Sequence, residues 1–247
     1  MTFQPRSAMI LAAGLATRMR PLTNHTAKPL LTLGGRTLLD HALDHLAAAG
    51  IASVVVNAFW QADKVVAHLA HRAPPPATIV LRESALLDTG GSVRNALTQL
   101  GTDPFFVING DALWLNGPMQ ALRRIASALT DDVDVVLLVH RTFQVHAEVG
   151  MGDFTVSQLG VPKRRRGHEV VPYIFAGASL MRPGLLEGMP DGPFSLNRAW
   201  NRAMETGRIR AVVHDGIWFH LSTPADLAEA EQVLEARVTG DVRWPWR

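Results

Sequence analysis

Five short apolar runs constrain this chain more than anything else in it: Met9 to Ala13, Ser53 to Asn57 (SVVVN), Thr78 to Leu81, Phe105 to Ile108 (FFVI) and Val133 to Val139 (VDVVLLV). They lack the strict alternation of half-solvated strands, which points to strands buried on both faces. The intervals between them carry apolar residues at helical spacing. Parallel strands need such crossovers, and crossovers are right-handed. The pattern therefore predicts an α/β fold with a Rossmann-like, doubly wound, mixed but mostly parallel sheet. At 247 residues the chain is long enough to bury a substantial core as one domain.

The clearest helix follows Thr37, an N-cap with Asp40 three residues on. Leu38, Leu39, Ala42, Leu43, Leu46 and Ala47 form its apolar stripe and Gly50 ends it. Helices are expected over Ala62 to His71, Val93 to Leu100, Met119 to Leu129, Leu196 to Glu205 and Pro224 to Arg237, with a further strand at Ile209 to His214. Residues 82–91 (RESALLDTGG) read as a polar loop. The rhythm breaks between His140 and Val170. Alternating pieces at Gly152 to Val156 and Pro172 to Phe175 predict a small antiparallel hairpin added to the sheet.

Lys plus Arg exceed Asp plus Glu by only 24 to 22, which gives no case for nucleic acid or a membrane surface as partner. With no cysteine, disulfides and thiolate chemistry are excluded. No apolar run approaches the roughly 18 residues of a membrane span. A cytoplasmic protein, monomeric or a small homo-oligomer, is the expectation.

In such a sheet, ligands bind beyond the carboxyl ends of the strands. The first strand there runs into ILAAGLATRMRPLTNHTAKPLL, which presents Arg18, Arg20 and Lys28 in an irregular loop suited to a polyphosphate. Lysine is otherwise rare, with only Lys64 and Lys163 besides Lys28, so each is expected to need its compact charge. The fourth run stops at Asn109-Gly110-Asp111. Asp111 is either a turn residue or a carboxylate for a magnesium ion that bridges phosphate oxygens.

LAAGLATRMRPLTNHTAKPLL resembles the signature of the sugar-1-phosphate nucleotidyltransferases, and DTGGSV, FFVINGD, PYIFAG and WFHLSTP resemble that family's later blocks in order. The resemblance covers nearly the whole chain. The RMRPLT wording is most similar to the uridylyltransferases of N-acetylmuramate 1-phosphate in cell-wall recycling. It implies an enzyme of the nucleotide-diphospho-sugar transferase fold that takes UTP and a sugar 1-phosphate as partners and a divalent cofactor, Mg2+. Guanylyl- or thymidylyl transfer to mannose, heptose or glucose phosphates is the alternative. An inactive regulatory homologue is a weaker one. A dinucleotide oxidoreductase is set aside because G-L-A-T-R-M is not G-x-G-x-x-G.

By the same resemblance, residues 1–115 take the nucleotide, 116–237 the sugar, and 238–247 form a tail. Leu11, Ala12, Ala13, Gly14, Thr89, Gly90 and Gly91 line the nucleotide site. Arg18 and Lys28 are the catalytic cations, Asp111 holds the metal, and Asn109 and Gly177 serve the sugar. Glu148, Asn57, Asn197 and Tyr173 are further polar partners for the sugar that position alone suggests.

Three departures stand out. Ala16 and Ala27 replace a glycine and a proline of the pattern, changes expected to alter loop stiffness. His220 occupies the place of a second metal-binding aspartate. An imidazole suits manganese better than magnesium. His220 is thus a ligand to Mn2+ or another softer ion, a contact through water, or a bystander with a backbone partner. Asp215, five residues earlier, is either a substitute carboxylate or a turn residue, the turn being the favoured reading. Residues 163–166 (KRRR) are either a solvated face or an attractor for an anionic sugar.

Overall fold

The computed structural model describes residues 4–145 and 149–238. In chain order they form β1 (Ser7–Leu11), a short ribbon β2 (Thr32–Leu33) and β3 (Arg36–Thr37), α1 (Leu38–Ala48), β4 (Ser53–Ala58), α2 (Ala62–Ala70) and β5 (Ala77–Arg82). There follow α3 (Asp88–Asn95), α4 (Leu97–Leu100), β6 (Phe105–Asn109), β7 (Leu113–Leu115), α5 (Ala121–Ser127) and β8 (Val135–Arg141). The remainder comprises β9 (Phe154–Val156), β10 (Pro162–Arg164), β11 (Tyr173–Met181), α6 (Asn197–Glu205), β12 (Ile209–Val213), β13 (Ile217–Phe219) and α7 (Pro224–Val238).

One mixed sheet of nine strands organises these elements. β6, β1, β4 and β5 pair in parallel, as do β8 and β12, while the long β11 runs antiparallel between β6 and β8. Alternate residues of each strand feed two cores. Ala8, Ile10, Val54, Val56, Phe106 and Ile108 meet Leu39, Leu43 and Leu46 of α1, Val65 and Leu69 of α2, and Ile125 of α5. Met9, Val55, Phe105 and Val107 face the other way, toward Val93 of α3, Leu100 of α4 and Trp200 of α6. Both faces of the central strands are covered, which is why their runs are continuously apolar, whereas β5 at the sheet edge leaves Ile79 exposed.

The Thr37 cap forms as expected: its hydroxyl oxygen accepts the Asp40 N–H at 3.0 Å and donates to the Asp40 carboxylate at 2.7 Å. Three expectations need adjustment. The helix expected from residue 119 starts at Ala121, where Asn116 Oδ1 accepts the Ala121 N–H at 2.9 Å. The end of the loop over residues 82–91 is helical, since α3 already begins at Asp88. β9 pairs with β10 as the closer hairpin, while the expected pairing of 152–156 with 172–175 survives as the Tyr173–Phe154 rung, from which Tyr173 starts a nine-residue strand.

That strand was hard to read because it is irregular. Register along β8 shifts between Phe175 and Ser179, around Gly177 at φ +82°. An added Cβ at Gly177 would lie 2.5 Å from the Ala112 Cβ, so only glycine lets β11 pass this point.

A smaller unit sits at the strand ends. β13 pairs antiparallel with β7 through Ile217–Leu115, Trp218–Trp114 and Phe219–Leu113. Leu113, Phe219 and Leu221 join Leu33, Leu38 and Met19 in a third apolar cluster. Met19 is fully buried, which anchors the basic loop between exposed Arg18 and Arg20.

Candidate active site

The carboxyl ends of β1, β4 and β6 and the loops beyond them enclose an open cleft of about 630 Å3. Its walls are the loop from Leu11 to Met19, Lys28, Pro29, Asn57, Glu83, Leu86 to Thr89, Ser92, Asn109 to Asp111, and Ser222. The basic loop, the fourth strand's end and the loop after β5 are therefore brought together.

The phosphate end rests on a stitch between β1 and β6. The Gly110 N–H donates to the Leu11 carbonyl at 2.8 Å, and a Cβ at Gly110 would lie 2.7 Å from that oxygen. Asp111 is thus fixed beside the basic loop. Its Oδ2 lies 2.5 Å from Lys28 Nζ, with the lysine side chain 11% exposed and the carboxylate 40% exposed. Arg18 lines the same cleft; Arg20 does not. Ala16 holds the tight turn at φ +48°, a left-handed conformation that costs a side-chain-bearing residue about 1 kcal/mol or more. Its carbonyl accepts from Thr23 Oγ1 at 2.9 Å and from the Met19 N–H at 3.0 Å, so the strained turn is pinned from two sides.

The other end is built on a buried polar relay. Asn57 Oδ1 accepts the Ala12 N–H at 2.8 Å and Asn57 Nδ2 donates to Glu83 Oε1 at 2.9 Å. Asn57 is therefore a strut between β1 and Glu83, and it also lines the cleft. Glu83 is only 8% exposed, and its second oxygen, Oε2, is buried with no hydrogen-bond partner while the residue lines the cleft. A buried acceptor without a partner beside a cleft calls for a donor. Sequence reasoning missed Glu83, and its position at a strand's carboxyl end was the one available signal.

Thr89 lines the cleft and its hydroxyl oxygen accepts the Leu196 N–H at 2.9 Å. Gly90 and Gly91 do not line it. Their N–H groups donate to the Phe194 carbonyl at 2.8 and 3.1 Å, and an added Cβ would meet the Phe194 ring or the Gly192 carbonyl at 2.4 Å. Close packing against the loop before α6 accounts for both glycines. Leu11, Ala12, Ala13, Gly14 and Asn109 all lie on the wall, whereas Gly177 packs behind it, against Ala112. Glu148 lies outside the described residues.

Of the other polar positions, Asn197 and Asn201 accept from Arg164 at 2.7 and 2.5 Å, and Arg164 also lies 5.1 Å over the Phe154 ring. Arg165 donates to the Gly152 carbonyl at 3.2 Å. The middle of the basic run thus clamps the hairpin, leaving Lys163 and Arg166 exposed. Tyr173 packs on the core of the α6 face. Asp215, between β12 and β13, pairs with Arg124 at 3.1 Å and does not line the cleft.

His220 follows directly on the Phe219–Leu113 pair, beside Ala112 and Asp111. It does not itself line the cleft. Ser222 does, and Ser222 Oγ lies 2.8 Å from His220 Nε2. Burial holds the His220 imidazole below the ordinary 6.5. Asp226 and Asp111 oppose that, while Lys28 and Arg18 add to it, so the ring is neutral at pH 7. Among the described residues, no three His, Cys, Asp or Glu side chains cluster to hold a metal ion. Asp111 alone fits a hard cation only if phosphate oxygens complete the shell. No helix among the described residues is long and apolar enough to cross a membrane.

Comparison with known proteins gives the chain's family and fold. The family model described as "MobA-like NTP transferase domain" matches residues 8–183. The N-acetylmuramate alpha-1-phosphate uridylyltransferase of Caulobacter vibrioides is 37% identical over 96% of this chain and 100% of its own length. That of Neisseria meningitidis serogroup B is 30% identical over 93% and 98%. Among solved structures, a UDP-glucose pyrophosphorylase complexed with UDP-glucose superposes with a TM-score of 0.79 at 15% identity, covering 94% of this chain and 99% of the other.

Proposed function

Since the chain belongs to the family of MobA-like NTP transferase domains and is a nucleotidyltransferase, we propose that it joins UTP to N-acetylmuramate 1-phosphate, giving the nucleoside-diphosphate sugar and pyrophosphate for cell-wall sugar recycling. The observation that carries the reading is the meeting of Arg18, Lys28 and Asp111 at one end of a cleft whose other end offers an open buried acceptor on Glu83. The names of the two uridylyltransferase relatives, matched nearly end to end, support the substrates.

The nucleotide occupies the half of the molecule built on β1, β4, β5 and β6, and the sugar the half beyond β7. Uracil carries an N3–H that an acceptor such as Glu83 Oε2 can take. The triphosphate lies over the basic loop. A sugar phosphate is already ionised at neutral pH, so its oxygen attacks the α-phosphorus without a general base. The bond to pyrophosphate breaks as the new P–O bond forms, and no covalent enzyme intermediate is required. The chain's task is to hold two anions together and offset charge on the transferring phosphate, which Arg18 and Lys28 do. Asp111 would hold a divalent cation, Mg2+ or Mn2+, which supplies further neutralisation of the phosphates. Lys28 then exchanges its carboxylate partner for phosphate oxygens.

The test is a pyrophosphate-release screen that crosses four triphosphates with a set of sugar 1-phosphates in Mg2+ and Mn2+. UTP with N-acetylmuramate 1-phosphate should stand out, and a preference for GTP with mannose 1-phosphate would replace the reading.

A further inference from the structure

His220 and Ser222 form a pair that the reaction outlined above leaves unused. Ser222 is 8% exposed, and that exposure is toward the cleft that holds Arg18, Lys28 and Asp111. Its backbone has no freedom to turn away: the N–H groups of Ser222 and Thr223 both donate to Asp226 Oδ2, at 2.8 and 2.7 Å, and Thr223 Oγ1 accepts the Asp226 N–H at 3.2 Å. This reciprocal cap on α7 also engages Asp226 Oδ2. Behind Ser222, His220 Nε2 is the hydrogen-bond partner of the hydroxyl at 2.8 Å. The His220 ring is itself braced by Trp218, at 5.6 Å between centroids, and the Trp218 indole N–H donates to the Ala176 carbonyl at 3.1 Å.

We propose that Ser222 is a phosphate-end residue of the active site, its hydroxyl donating to His220 and its oxygen facing the cation–triphosphate complex, so that His220 positions Ser222 and is not itself a metal ligand. The chemistry favours this division. A hard divalent cation takes hydroxyl oxygen more readily than imidazole nitrogen, and a serine or threonine hydroxyl on Mg2+ is an established way to hold a nucleotide's cation. With His220 Nε2 as the acceptor at 2.8 Å, the Ser222 hydroxyl hydrogen points to the ring and the oxygen lone pairs are left for the cleft. Lys28 and Arg18 carry only donors, so beside them Asp111 and Ser222 are side chains that offer the cation an oxygen.

The assignment rests on the nucleotidyltransferase reading and is tested without turnover. Mn2+ and UTP are titrated into the protein in the absence of sugar phosphate, with water-proton relaxation reporting the bound complex and electron spin echo modulation reporting nitrogen at the metal. The wild type should show no imidazole nitrogen coupling. Ser222→Ala and His220→Ala should each weaken Mn2+–UTP binding by about 10-fold or more, the loss typical of removing a partner that orients a ligand. The double variant should be no worse than Ser222→Ala alone. His220→Gln, whose amide oxygen can accept the same hydroxyl, should recover most of the affinity and guards against a misfolded His220→Ala. Nitrogen coupling in the wild type, unchanged affinity in Ser222→Ala, or independent losses that multiply in the double variant would each overturn the proposal. If the wild type binds none of the four triphosphates, the proposed function fails first; if it binds one, the Ser222 test proceeds with that nucleotide.

Discussion

Replacing Gly177 with alanine probes how the fold sets the active site. Two costs add. Gly177 sits at φ +82°, where a Cβ-bearing residue pays about 1–2 kcal/mol. The new methyl would start 2.5 Å from the Ala112 Cβ and must be relieved by overpacking, about 1–3 kcal/mol. The sum is about 2–5 kcal/mol, or a fall of roughly 4–20 °C in Tm for a chain of this size. Restoring ordinary contact moves Ala112 by nearly 1 Å, and Asp111 is its covalent neighbour. A displacement of about 1 Å at reacting groups costs on the order of 100-fold in rate. Urea unfolding and steady-state kinetics on Gly177→Ala read the two effects separately. Adding Ala112→Gly removes the struck methyl, so the double variant should regain part of both losses. A stability loss under about 1 kcal/mol, or a double variant less stable and less active than Gly177→Ala, would refute the reasoning.

Three further outcomes follow from the site and the core. Asp111→Ala and Lys28→Ala should each lose on the order of 100- to 1000-fold in kcat/KM while far-UV circular dichroism stays native, and near-normal turnover in either would remove it from the chemistry. Glu83→Gln keeps the side chain's shape but lets an amide N–H face the cleft; the KM for UTP should rise by roughly 5- to 150-fold, the loss for mispairing a buried acceptor, with kcat less affected. Burial lowers the pKa of His140 and of His214 below the ordinary 6.5, so both are neutral in the fold and the unfolded chain binds more protons. Their contribution is fully present above about pH 6.5 and is lost as pH falls through 6.5 toward the folded values. Urea midpoints should drop between pH 7.5 and 5.5, and less steeply in His140→Gln.

The strands, the Thr37 cap and the basic loop were legible because each is local: period, cap spacing and charge all lie within one segment. Asp111 was legible because a strand's end is itself a signal. What escaped depends on contacts between distant segments. Asn57 and Glu83 are 26 residues apart, and only pairing of β4 with β5 makes them one relay. Gly90 and Gly91 look alike as cleft or packing glycines until Phe194 is seen against them. β11 was cut short in the reading because its bulge at Gly177 interrupts the alternation, and nothing local says that it inserts between β6 and β8. His220 was visible as a departure, but the hydroxyl it serves could be found only from the turn that brings Ser222 to the cleft wall.

The most direct measurement is phosphorus NMR on UTP and N-acetylmuramate 1-phosphate with the enzyme and Mg2+, paired with mass spectrometry of the protein. The expected spectrum shows the diphosphate doublets of the UDP-sugar growing in equal amount with pyrophosphate, no orthophosphate, and no uridylylated chain. UTP left intact while another triphosphate is consumed, release of orthophosphate, or a uridylylated protein would contradict direct nucleotidyl transfer from UTP at this cleft.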